Sequence, residues 1–221
     1  MQTAYYKRVR AASLVLTLFA LPLLATAATR QGSEPVKSSA VDSHEGLTVS
    51  AEPWTSAEEY KTKFPKKSPL AAGIVAIHVA FRNSTDESIK IGLDSIRLTI
   101  SIDENNRQEL EPLTPERLAD VVLRPAAKDP TSRSRLPLPL PTSSGGRNKQ
   151  WQQLKTAAED AGVRDGVIAP HMTVEGLLYF DLRSQFDLLN SARLYVPNLV
   201  MLESNHQLLY FELDFSHTSR K

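Results

Sequence analysis

The sequence predicts a mainly β fold, namely a two-sheet antiparallel sandwich that carries a helical and proline-rich insertion. About seven or eight short segments alternate apolar and polar residues, which is the period of a half-buried strand. Polar and glycine-containing turns separate these segments, as in sandwich domains. Between residues 111 and 170 the alternation stops, and helix signals and prolines replace it.

The first 27 residues have the layout of a cleavable signal peptide. Basic residues around Lys7 precede an apolar run at 11–24, and Ala25-Thr26-Ala27 offers small residues before a cut. The alternative is an uncleaved anchor, but the run is shorter than the roughly 20 residues that a span needs. We therefore expect a signal peptide at 1–27, a secreted or periplasmic location, and no stable membrane span after cleavage.

Charge and composition narrow the range of partners. The chain has 26 basic and 25 acidic residues, and the signal segment holds three of the basic and none of the acidic ones, which leaves the mature chain at −2. A slightly acidic protein gives no electrostatic reason to expect nucleic acid as a partner. The chain has no cysteine, which excludes disulfides, thiolate metal sites and a cysteine nucleophile.

The first elements follow directly from local pattern. Residues 28–46 lack periodicity and are predicted to form a flexible leader. Leu47–Trp54 alternates and is predicted to be a strand. Ser56 followed by Glu59 fits a capping box, so a short helix should begin there and end before Pro65.

Two strong strands are predicted at 73–82 and 96–102, with further strands at 173–182, Ala192–Val196 and 208–215. Apolar residues on one face of such strands should meet in one core. The residues predicted to form it are Val75, Ile77, Val79, Phe81, Ile96, Leu98, Ile100, Phe180, Phe211 and Leu213. Leu209 is predicted to point inward as well.

The insertion is predicted to hold two helices and an irregular loop. Thr114 before Pro115 is an N-cap signal for the first helix. An apolar stripe predicts the second helix at 148–161. Residues 129–147 are rich in proline and then glycine, which disfavours a regular element. We read 47–217 as one sandwich domain, interrupted by the insertion at 111–170.

One order of strands and turns runs through both parts of the predicted sandwich. It comprises segment 73–83, Ile89, Ile91, Ile96, Leu98, Pro170, Gly176 and Phe180. This order resembles that of exported bacterial immunoglobulin-like domains, which are mostly of unknown function. The resemblance implies an immunoglobulin-like antiparallel β-sandwich without catalytic motifs.

Motifs that carry chemistry are missing from the sequence. None of the common nucleophile, metalloprotease or phosphate-loop signatures is present. The histidines are His44, His78, His171, His206 and His217, and none of them has metal-ligand spacing. We therefore predict no catalytic residue, no metal ligand and no cofactor. Asn83 begins an Asn-x-Thr sequon, which is either a glycosylation site or simply a turn.

Two surface segments are candidates for contact with a partner. A Leu-Pro repeat next to basic residues could dock into a partner's groove, although such repeats also act as spacers. The candidate partner-binding residues are Leu136, Leu138, Leu140, Arg133 and Arg135. A second basic cluster comprises Lys61, Lys63, Lys66 and Lys67. The expected partner is another envelope protein or an anionic envelope surface.

Three functions are compatible with these observations. The first is an exported, non-catalytic binding or structural protein of the cell envelope or extracellular space. The second is an envelope hydrolase with its site between the sandwich and the insertion. The third is an assembly or chaperone-like accessory that pairs through a strand edge.

Overall fold

The structure is a computed structural model that describes residues 39–102, 106–123, 144–164 and 166–216, without the side chains of 144–147. Its helices are α1 (Ala57–Lys61), α2 (Pro115–Val122) and α3 (Ser144–Ala161). Its strands are β1 (Ala40–His44), β2 (Leu47–Trp54), β3 (Ile74–Asn83), β4 (Ile89–Ile91), β5 (Arg97–Ser101), β6 (Arg107–Leu110), β7 (Gly166–Ile168), β8 (Thr173–Asp181), β9 (Ala192–Val196), β10 (Val200–Met201), β11 (His206–Gln207) and β12 (Phe211–Asp214).

The described strands form three antiparallel four-stranded sheets. The first has the order β1-β2-β3-β8, the second β11-β10-β4-β7 and the third β12-β9-β5-β6. The chain passes between the second and third sheets four times, directly after β4, β9 and β11, and through the insertion after β6. The mainly β, antiparallel prediction is confirmed, and the immunoglobulin-like type stays a prediction.

One hydrophobic core lies where the three sheets face each other. All ten residues predicted to share a core belong to this cluster and are buried. The prediction that Leu209 points inward is wrong, because 66% of its surface is exposed while Leu208 is buried. Regular pairing of β12 begins only at Phe211, so the alternation does not extend back to residue 209.

A second core covers part of the opposite face of the first sheet. Ala76 and Tyr179 lie on the faces of their strands opposite the predicted core, and both are buried against α2 and α3 together with Leu177 and Ala158. The insertion therefore packs as a helical layer on this face of the first sheet. The prediction of two helices within it is confirmed.

The two helices of the insertion are also bonded to each other. Lys155 Nζ on α3 lies 3.2 Å from Glu116 Oε1 on α2. Trp151 Nε1 donates to Asp120 Oδ1 at 2.8 Å. Thr114 Oγ1 accepts from Arg117 N at 3.3 Å, which is the predicted N-cap of α2.

The insertion is fastened to the outer edge of β8 by backbone hydrogen bonds. Leu113 N donates to Tyr179 O at 2.7 Å, and Val163 N donates to Leu177 O at 3.2 Å. A Cβ at Gly176 would lie 2.5 Å from Val163 N, so this close approach requires glycine. These bonds occupy carbonyl groups on a strand edge that would otherwise be free.

Two predicted irregular segments contain regular structure. The flexible leader predicted at 28–46 is wrong at its end, because β1 pairs with β2 through a tight turn in which Gly46 has a φ of 79°. The irregular segment predicted at 129–147 is wrong from Ser144, where α3 begins. For β1, pairing with β2 outweighs the local propensity of the segment. The remainder of both segments and the signal peptide at 1–27 lie outside the described residues.

Candidate anion-binding cavity

The predicted partner-binding residues of the proline-rich loop are not among those that the structure describes. Leu136, Leu138, Leu140, Arg133 and Arg135 all fall within 124–143, outside the described residues. Their role stays a prediction. Within the described parts of the chain, no helix is long and apolar enough to cross a membrane.

A cavity of about 1030 Å³ lies where the insertion meets the loops of the first sheet. Three separate segments build it, namely the chain before β3, helix α2 and the loop after β8. Its lining residues are Lys66, Lys67, Ser68, Ala71, Ala72, Leu113, Arg117, Asp120, Val121, Val122, Asp181, Arg183 and Ser184. Four of them are basic and two are acidic.

Most of the basic side chains at this cavity have no ion-pair or hydrogen-bond partner among the described residues. Among the described residues, no ion pair or side-chain hydrogen bond is made by Lys67, Arg117 or Arg183. Both carboxylates are already engaged by other donors, Asp120 by Trp151 Nε1 and Asp181 by the backbone N of Arg183 at 2.9 Å. The cavity therefore presents positive charge that nothing in the described structure neutralises.

The loop that carries one of these cations is held in an unusual conformation. Arg183 and Ser184 have φ values of 50° and 66°, consecutive left-handed residues that are not glycine. Each such residue costs about 1–2 kcal/mol relative to ordinary backbone. The loop is held by Gly73, whose carbonyl accepts from Leu182 N at 3.0 Å. Strain that tertiary contacts maintain is typical of functional positions.

Gly73 shows how closely the two segments approach at this cavity. It has a φ of 83°, and a Cβ placed on it would lie 2.5 Å from Ser184 N. Only glycine combines that backbone angle with so close a neighbour. Nearby, Ser68 Oγ is buried and has no hydrogen-bond partner among the described residues. Because this oxygen has almost no accessible surface, a ligand in the cavity would not reach it without a local rearrangement.

Two histidines each lie beside a separate carboxylate. His171 Nε2 lies 2.9 Å from Asp86 Oδ1, and His78 Nε2 lies 3.8 Å from a Glu175 oxygen. No group of three or more potential metal ligands occurs among the residues that the structure describes. His217 lies outside them.

One histidine pair does converge, on the turn between β1 and β2. Glu45 Oε2 lies 3.4 Å from His44 Nδ1, and Glu45 Oε1 lies 3.1 Å from His206 Nε2. The Leu209 N–H donates to Glu45 Oε2 at 2.7 Å, and this bond, with the His206 contact, lowers the pKa of the Glu45 carboxyl.

Carboxylates of the β1–β2 hairpin also occupy backbone donors at the edge strand β12. Asp42 Oδ2 accepts from Glu212 N at 3.0 Å, while Glu45 takes the N–H of Leu209. The His44 ring stacks on Phe211 with centroids 3.8 Å apart. This part of the edge is therefore closed to pairing with another strand.

Asn83, the first residue of the sequon, is a structural side chain. It is 1% exposed, and its Nδ2 donates to Glu87 O at 2.7 Å and to Ala169 O at 3.2 Å. Its Oδ1 accepts from Thr85 N at 2.9 Å. A buried amide with these bonds is not available to a glycosylating enzyme, so the turn interpretation holds.

Sequence reasoning found only part of this cavity. Lys66 and Lys67 were grouped with Lys61 and Lys63, but Lys61 pairs with Glu58 on the surface of α1. Arg183 could not be identified from the sequence, because what distinguishes it is the left-handed backbone angle that it adopts in the folded chain. Residues from three distant segments meet there only through the tertiary fold.

Comparisons with known proteins add no assignment. No protein-family model matches the chain, and no curated protein matches it. Among solved structures, a functionally unknown protein from Listeria monocytogenes EGD-e is 15% identical, and the match covers 73% of this chain and 72% of that chain with a TM-score of 0.33. The function of this protein is therefore argued from its own residues.

Proposed function

We propose that this chain is an exported, non-catalytic binding protein of the cell envelope or extracellular space, which holds an anionic ligand in the basic cavity. The observation that carries the proposal is the set of three cations on the wall of one concave site, Lys67, Arg117 and Arg183, whose side chains have no partner among the described residues. Its location rests on the signal-peptide pattern at 1–27.

The chemistry of the cations favours an oxyanion. A guanidinium group presents a planar set of donors that matches a phosphate or carboxylate, and charge-assisted bonds of this kind are about twice as strong as neutral ones. Two arginines and a lysine from different segments can surround one such group. An anionic component of the envelope, or an acidic group on another envelope protein, would supply it.

Calorimetric titration with inorganic phosphate at low ionic strength tests the proposal. Arg183→Gln should weaken binding about tenfold or more, because it removes hydrogen bonds to a charged group. Arg107→Gln is the matched control, since Arg107 is an exposed arginine on β6 and does not line the cavity. Equal loss in both variants, or no binding to the unaltered protein, would refute the proposal.

Export is tested separately. N-terminal sequencing of protein recovered from the producing cell should begin at Ala28. Recovery of an intact Met1 in the membrane fraction would contradict cleavage.

A further inference from the structure

A second depression, of about 600 Å³, adjoins the basic cavity. It lies between the chain after α1 and one side of α3, and it shares Lys66 and Lys67 with the basic cavity. Its apolar surface comes from Phe64, Pro65, Leu154 and Ala157. We call this depression the apolar groove.

We propose that the ligand is an anionic amphiphile, with its charged headgroup in the basic cavity and its hydrocarbon chain in the apolar groove. This inference rests on the proposed function, because the headgroup uses the same cations. It adds the chemical class of the ligand: a phosphate or phosphate-like group attached to a linear hydrocarbon chain.

The distribution of charge along the two sites supports this assignment. Most of the positive charge of the combined surface lies in the cavity and at its junction with the groove. Beyond the junction the groove is lined by the neutral side chains of Gln150, Gln152 and Thr156, and its two charged residues there, Lys63 and Asp160, have opposite signs. A ligand that is charged throughout would gain little there, whereas a neutral chain would remove apolar surface from water.

The lysines at the junction between the cavity and the groove can bind an anionic ligand. Lys66 Nζ crosses from the segment before β3 to α3, where it donates to Gln153 Oε1 at 3.1 Å. That acceptor is neutral and the bond is exposed, so an anionic oxygen would replace it with a stronger, charge-assisted bond. Lys67 at the same junction has no side-chain partner in the described part of the chain and adds a second donor.

The floor of the groove is already apolar in the folded protein. Phe64 and Leu154 are almost fully buried and belong to the second core, while Ala157 is partly exposed and packs against it. A chain lying in the groove would therefore extend an existing core outward. Preformed apolar surface with a few polar groups at one end is typical of sites for amphiphilic ligands.

A series of alkyl phosphates, from hexyl to decyl and below their micelle concentrations, tests the inference. Each methylene that becomes buried should raise the affinity about fourfold, until the chain fills the groove. Inorganic phosphate measures the headgroup alone, and decyl maltoside measures the chain with an uncharged head. We expect decyl phosphate to bind more tightly than either.

Variants of the groove separate its role from that of the cavity. Thr156→Glu places a charge beside the groove, and it should reduce the gain per methylene while leaving inorganic phosphate binding within about twofold. Asn148→Glu is the matched control, because Asn148 is exposed on α3 and does not line the groove. Ala157→Leu fills the groove with a good helix former and should have the same effect as Thr156→Glu.

The possible results distinguish the two proposals. If inorganic phosphate binds but longer chains bind no more tightly, the amphiphile is refuted and the anion site survives. If no phosphate compound binds, both proposals fail. If a hexaglutamate peptide binds more tightly than every alkyl phosphate, and Thr156→Glu has no effect on it, the ligand is an acidic peptide and the groove has no role.

Discussion

Replacing Gly176 with alanine tests whether the insertion is fastened to β8 as described. The new Cβ would lie 2.5 Å from Val163 N, 2.6 Å from Gly162 C and 2.8 Å from Gly162 O. All three atoms are backbone, so no side-chain rotation relieves the overlap. Ordinary contact begins at 3.4 Å, so the chain after α3 must retreat by about 0.9 Å.

The expected loss of stability has two parts. Overpacking of a tight site typically costs about 1–3 kcal/mol. The retreat also stretches the 3.2 Å bond from Val163 N to Leu177 O, and a lost hydrogen bond costs about 1 kcal/mol. We expect Gly176→Ala to lower the free energy of unfolding by about 2–4 kcal/mol.

Urea unfolding, followed by tryptophan fluorescence and by circular dichroism, measures this loss. The two tryptophans, Trp54 on β2 and Trp151 on α3, both pack against the second core, so fluorescence reports on the contact between the first sheet and the helical layer, while circular dichroism reports on the whole domain. Gly166→Ala is the control, because a Cβ there has no neighbour within 4 Å. It should change stability by less than about 0.5 kcal/mol. Similar values for the two variants would refute the close packing of the insertion on β8.

Four further predictions follow from other parts of the structure. Asn83→Ala should lower the free energy of unfolding by about 2–4 kcal/mol, because it leaves buried carbonyls without donors; an unchanged urea midpoint would contradict the buried network. Because the pKa of Glu45 is lowered in the folded state, its stabilising effect is present above the ordinary value of 4.5 and is lost as the pH falls through the lowered pKa. The melting temperature of Glu45→Gln should therefore fall less than that of the unaltered protein between about pH 5 and pH 3. Arg183→Gly should keep or raise the melting temperature, because glycine tolerates the left-handed angle, yet weaken phosphate binding; a large loss of stability would contradict the strain. Replacing 131–142 with a glycine-serine linker should preserve the melting temperature but abolish recovery of an envelope partner, if the leucines of that loop bind one.

The strands of the main core could be predicted from sequence because burial on one side of a strand leaves a period of two. Val75 and Phe81 on β3 illustrate this, since Ile77 and Val79, which lie between them on the inward face, are also apolar. The opposite face of β3 could not be assigned in the same way. An alanine such as Ala76 occurs on both exposed and buried faces, and it is buried here because α2 and α3 pack against this face.

The start of α3 at Ser144 could not be predicted, because the helix includes Gly145 and Gly146 and glycine disfavours a helix interior by about 1 kcal/mol per residue. Other features depend on contacts between distant segments. His44 and His206 meet at Glu45 only because the β1–β2 hairpin lies against β12. The cavity is a further case, because its cations come from three separate segments and lie around one site only in the folded chain.

The central claim is that anion binding belongs to the basic cavity. Mapping amide chemical shifts during titration with inorganic phosphate locates the binding directly. The account predicts that the largest changes fall at residues 66–72, 113–122 and 181–184, and that they saturate together with one affinity. Changes spread over exposed lysines elsewhere, such as Lys90 on β4, or no saturable change, would contradict it.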